Sequence, residues 1–165
     1  MKKLFKLAAL PLAVLAFSSA AYANDRECGS MLGKISVDGN VIVKQNQTCS
    51  LDGTKVDGNV KVEQGGKLAA ANVDVKGDIQ ADKAAGLTVT KSKVDGNIQV
   101  KESSGAVDVN ANRVNGDIQL FDNKAGAVVK GNTVDGNLQC KNNAGKLEGS
   151  GNKVKGNKED QCARF

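Results

Sequence analysis

Two kinds of side chain in this sequence invite chemistry: carboxylates repeated beside glycine, and four cysteines. Asp38 with Asp57, and Asp95 with Asp135 on either side of Asn115, are spaced as if stacked. Paired carboxylates act as general acid and base in enzymes that cleave polysaccharides. Those enzymes line a groove with acids or bases carried on long loops, and the units here are nearly loop-free. Acids beside a corner glycine are turn formers first. The chain contains no His, which removes Ser-His-Asp and Cys-His nucleophile systems and imidazole metal ligands. It is read as a non-enzyme. Asp-Gly-Asn runs also invite calcium, but the nonapeptide pattern of calcium-binding β-rolls is missing and Lys76 and Lys155 interrupt the column. Neither a metal nor any other cofactor is expected.

A repeat positions these residues. Val37-Asp-Gly-Asn40, Val56-Asp-Gly-Asn59, Val75-Lys-Gly-Asp78, Val94-Asp-Gly-Asn97, Val114-Asn-Gly-Asp117, Val134-Asp-Gly-Asn137 and Val154-Lys-Gly-Asn157 recur at intervals of 19, 19, 19, 20, 20 and 20 residues. Inside each unit the apolar residues follow period two, the spacing of strands. The valine is one inward column. Two more lie four and six residues after it (Ile98 and Val100, for example), and two lie seven and five before it (Leu87 and Val89). A strand this short cannot bury an apolar face alone. If each unit makes one circuit of two or three strands, equivalent positions stack ~4.8 Å apart and all five columns face one axis. The fold expected is all-β: a single-stranded parallel β-solenoid, or β-helix, of about seven coils of 19–20 residues.

Each glycine of the unit fits a corner that needs positive φ or a close backbone approach. The residues after it, Asn40, Asn59, Asp78, Asn97, Asp117, Asn137 and Asn157, form a structural corner ladder bonding backbone groups of their own or the next coil. Asn112, Asn132 and Asn152 form a shorter ladder. Gln80, Gln99, Gln119 and Gln139 form the most regular outward column, flanked by Lys61 and Glu159; they are the candidate contact stripe. Thr54, Thr88, Thr90 and Thr133 do not align into the flat ladder that ice binding needs.

Cys28 and Cys49 are 21 residues apart and Cys140 and Cys162 are 22 apart, each close to one circuit. Side chains one coil apart lie within disulfide range. The pairing expected is therefore Cys28 with Cys49 and Cys140 with Cys162, stapling both ends. A four-Cys metal site would need closer pairs and a reducing compartment.

Residues 1–23 read as a cleaved signal peptide: a basic start, an apolar run from Leu7 to Phe17, and Ala21-Tyr22-Ala23 at the cut. The apolar run is too short to span a bilayer. Removing Lys2, Lys3 and Lys6 from 23 basic residues leaves 20 against 18 acidic, a net charge of +2, so no nucleic-acid patch is implied. Residues 24–36 are assigned as an N-terminal cap, 37–157 as the solenoid and 158–165 as a C-terminal cap or tail. Phe165 is read as a chance residue, since a membrane barrel would also need outward apolar bands and aromatic girdles. No membrane span is expected in the mature chain.

The last repeat, Gly136-Asn-Leu-Gln-Cys140-Lys-Asn followed by Gly151-Asn-Lys-Val-Lys-Gly-Asn157-Lys-Glu-Asp-Gln-Cys162, resembles the closing signature of short exported bacterial V-x-G-N repeat proteins. The resemblance covers the closing 30 residues well and the rest by pattern. It implies a secreted β-helical product with a disulfide-closed end, and brings no activity and no catalytic residues.

The function expected is a non-enzymatic structural or binding module, periplasmic or extracellular, whose outer faces meet an envelope protein or glycan. A self-assembling fibre subunit is the alternative. Repeats of this length rich in Gly, Asn and Gln resemble curli-type functional amyloids, but the staples and Lys158-Glu159-Asp160 argue for a monomer.

Overall fold

The structure, a computed structural model, describes residues 24–165; the leader assigned to residues 1–23 lies outside the described residues. Alternating apolar and polar side chains make strands, and corners recurring at the same phase bring the chain back over itself. Among the described residues three parallel sheets of eight, seven and seven strands wrap one axis. The first face contains strands such as Val60–Val62, Ile79–Asp82, Ile98–Lys101, Ile118–Phe121 and Leu138–Lys141. The second contains Thr48–Asp52, Gly86–Thr90 and Val107–Asn110, and the third only two-residue strands such as Lys55–Val56 and Lys93–Val94. Each coil therefore uses three strands, the larger of the two numbers the pattern allowed.

Register is strict. Val60, Ile79, Ile98, Ile118 and Leu138 pair in succession, and all are fully buried. The other four inward columns pack against them in one aliphatic filling. Each such side chain contributes about 1.5–3 kcal/mol by leaving water, so stability is spread evenly along the axis.

The glycines of the V-x-G-N units serve close approach, not left-handed backbone. None of the seven has positive φ. A Cβ on Gly77, Gly96 or Gly116 would sit 2.8 Å from the carbonyl oxygen of the glycine one coil before, and would also strike the Oδ1 of that coil's ladder residue. Positive φ occurs elsewhere, at Lys91 (50°), Ala111 (56°) and Gly131 (67°) in one column and at Glu102 (53°) and Asp122 (56°) in another.

Both predicted disulfides are present, with Cα separations of 5.4 Å for Cys28–Cys49 and 5.2 Å for Cys140–Cys162. All four cysteines are buried. Closing a loop of this length stabilises by about 3 kcal/mol in the chain-entropy model.

The segments set apart as caps also contribute strands: Arg26–Glu27 and Met31–Leu32 at one end, Lys158–Asp160 at the other. Arg26 stands over Val41 and Lys158 under Leu138, in the same inward column. A charged residue therefore ends this column at each extremity, the kind of feature that blunts an open sheet edge. Phe165 is not a chance residue. Its ring fills the space a side chain at Gly149 would take and packs with Leu147 and Val154 against the core, while the Lys158 ammonium donates to its carbonyl oxygen.

Candidate functional site

The outward residues of the first face carry the candidate stripe. Gln80, Gln99, Gln119 and Gln139 pair in register, with Lys61 before Gln80 and Glu159 after Gln139. Three of the four amides form a chain: Gln99 Nε2 donates to Gln119 Oε1 at 3.0 Å, Gln119 to Gln139 at 2.8 Å, and Gln139 to Glu159 at 2.8 Å. Gln80 is set apart; its Nε2 donates to Asp78 Oδ2 at 3.2 Å. Gln119 and Gln139 each use one N–H and one lone pair along the ladder, and Gln99, at its head, one N–H alone. Each amide keeps a second N–H and at least one lone pair outside the ladder. The side chains are already ordered, so binding spends little rotamer entropy.

The corner ladder is hydrogen-bonded from coil to coil. Asn59, Asp78, Asn97, Asp117, Asn137 and Asn157 each donate a backbone N–H to the side-chain Oδ1 one coil before, at 2.6–2.8 Å. One rung escaped the sequence reading: Asp25 Oδ1 accepts from the Asn40 backbone N–H at 3.1 Å and from its Nδ2 at 2.8 Å. These bonds hold the Asp25 carboxyl below its ordinary value, the backbone donor being the larger cause.

Two further ladders are buried and run with the opposite polarity. Asn112 N–H donates to Asn132 Oδ1 at 2.9 Å and Asn132 N–H to Asn152 Oδ1 at 3.0 Å, as the spacing predicted. The second was missed: Ser103 N–H donates to Asn123, Asn123 to Asn143, and Asn143 to Gln161. Its signal was available, because Ser103, Asn123 and Asn143 recur at 20 residues. In both, the residue before the rung adopts positive φ (Ala111, Gly131, Glu102, Asp122), which turns the side chain inward to meet backbone that no sheet satisfies.

Of the four carboxylates weighed for acid-base work, Asp95 and Asp135 are held by cations, whereas Asp38 and Asp57 have no cation within ion-pair distance among the described residues. Asp95 lies 2.9 Å from Lys93 and 3.5 Å from Lys76, and accepts from Asn115 Nδ2 at 3.0 Å. The Lys93 hydrogen bond is the main reason its carboxyl is pushed below the usual range. Asp135 meets Lys155 at 3.1 Å. Lys76, the residue that broke the Asp-Gly-Asn column, thus alternates charge with its stacked neighbour. An acid catalyst needs the opposite shift, toward the protonated form.

On the second face Glu148 lies 2.9 Å from Lys146 and 3.0 Å from Lys130. Hydrogen bonds from these two ammoniums lower its carboxyl from 4.5 to about 2. A group whose folded value is depressed adds stability above its unfolded value and loses it as pH falls through the folded one. The melting temperature is therefore expected to decline as pH drops from 4.5 to about 2, and Glu148→Gln to flatten part of that decline. An identical pH profile in the variant would show that these exposed pairs are too screened to matter.

Comparisons with protein-family models, with curated proteins and with solved structures returned no match.

Proposed function

We propose that this chain is a non-enzymatic exported module of the bacterial envelope or extracellular space that acts by contact, through the Gln-bearing face, with an envelope protein or glycan. The observation that carries the reading is the ordered amide chain from Gln99 through Gln119 and Gln139 to Glu159. It repeats a free donor and acceptor once per coil on one sheet. The signal-peptide reading of residues 1–23 and two disulfides, which suit an oxidising compartment, support export. The cations over Val41 and under Leu138 weigh against the fibre alternative.

The test is capture of envelope components by the oxidised protein lacking residues 1–23, compared with a variant in which Gln80, Gln99, Gln119 and Gln139 are all Ser. The replacements leave every inward column intact, and a melting curve checks the fold. Loss of most captured material in the variant is expected. Capture that survives the four replacements would dismiss the stripe.

A further inference from the structure

We propose that Phe121, with Lys101 and Lys141 on either side of it, binds a β-linked cell-wall glycan strand of N-acetylated sugars in which every second sugar carries an acidic stem peptide. The proposal rests on the reading of the Gln face as a contact surface and names its ligand class.

Residues 24–165 contain two aromatic side chains, Phe121 and Phe165. Phe165 is spent on the core. Phe121 points outward from the first face, half-buried, in a strand whose apolar partners Ile118 and Leu120 are fully buried. A chain short of rings has thus placed one where it packs no core. A flat, partly exposed ring presents its face to the C–H side of a pyranose, the same area-and-quadrupole contact that makes aromatics dominate recognition surfaces.

The surroundings select the sugar. Gln119 is two residues before Phe121 on the same outward side, so the amide chain runs beside the ring and offers its free N–H and lone pairs to hydroxyl and acetamido groups. Lys101 and Lys141 pair with Phe121 from the two adjacent coils and are exposed. Among the described residues Lys141 has no acidic partner within ion-pair distance, and Lys101 meets only Glu102, at 3.8 Å. The two lysines are two coils apart in register, their backbones about 10 Å apart along the axis, close to the length of one disaccharide. A strand laid along the axis would therefore bring the carboxylates of successive stem peptides, one per disaccharide, to successive lysines, with the intervening sugar ring over Phe121.

The experiment is co-sedimentation of the oxidised chain, leader removed, with insoluble peptidoglycan and with chitin, which has the rings and acetamido groups without carboxylates. Binding to peptidoglycan, and weaker binding to chitin, is expected. Phe121→Ala should weaken both roughly five- to tenfold, the loss of one aromatic stack. The double variant Lys101→Gln/Lys141→Gln should bring peptidoglycan affinity down to the chitin level and abolish its salt dependence. All these side chains face outward, and far-ultraviolet dichroism checks the fold. Failure of the parent protein to sediment, or sedimentation unchanged by Phe121→Ala, overturns the proposal. Binding of immobilised polyglutamate without peptidoglycan binding also overturns it, in favour of an acidic peptide. Gln-dependent capture of envelope material that persists without peptidoglycan binding would remove this inference alone; loss of both would remove the contact face as well.

Discussion

Gly96→Ala is expected to destabilise the solenoid by about 3 kcal/mol, combining overpacking with loss of a ladder bond. The new Cβ would lie 2.8 Å from the Gly77 carbonyl oxygen and strike Asp78 Oδ1, the atom that accepts the Asn97 backbone N–H at 2.7 Å. Neither obstacle is the free end of a flexible side chain. One is backbone, and the other is fixed by the ladder. Gly131→Ala is the informative control. Gly131 has φ 67°, yet its nearest obstacles are Ala111 backbone atoms at 4.0 Å, and Ala111 itself holds φ 56° in the same column. It should cost about 1 kcal/mol or less. Urea unfolding of the two variants under oxidising conditions tests the contrast. Equal losses, or a larger loss at Gly131, would mean that conformation and not proximity keeps glycine in the V-x-G-N unit.

The second large effect is expected at Asn132. Its side chain is fully buried. Its Oδ1 accepts from Asn112 N–H at 2.9 Å and Nδ2 at 3.1 Å, and its Nδ2 donates to the Val109 carbonyl at 2.8 Å and to Asn152 Oδ1 at 3.0 Å. Asn132→Leu preserves volume and strands several of these groups away from water, where each unsatisfied one costs about 1–3 kcal/mol. A total loss of about 4 kcal/mol is expected from urea unfolding. Asn137→Ala, at the half-exposed corner, should cost nearer 1 kcal/mol, because water can replace the bond that its side chain accepts from Asn157. A loss below about 1 kcal/mol at Asn132 would show that the ladder relaxes around a missing rung.

The sequence made the solenoid legible because its columns are nearly uniform: valine, isoleucine and leucine recur at the same phase, and period two leaves no helical reading. The cysteine pairing followed from the same period. The left-handed corners did not show, since Lys91, Ala111 and Glu102 are not residues that advertise such a turn; stacked hydrogen bonds impose it. Asp25 was hidden by its position beside the leader. Phe165 became intelligible only with Gly149, because a missing side chain in an inward column is visible as a socket only when something fills it. On the candidate face, the Gln column was plain from its spacing. Phe121 was not, because a single outward ring has no repeat to mark it, and the ordering of the amides depends on rotamers that no pattern specifies.

The position of the sulfur bridges also governs how the molecule answers a mechanical load. Tension applied to its two extremities passes through Cys28–Cys49 and Cys140–Cys162 without unwinding the outermost turns. Unspooling is confined to the chain between Cys49 and Cys140, released one winding of 19–20 residues at a time. A chain so bolted lengthens by whole windings, while each outermost turn stays a closed covalent ring.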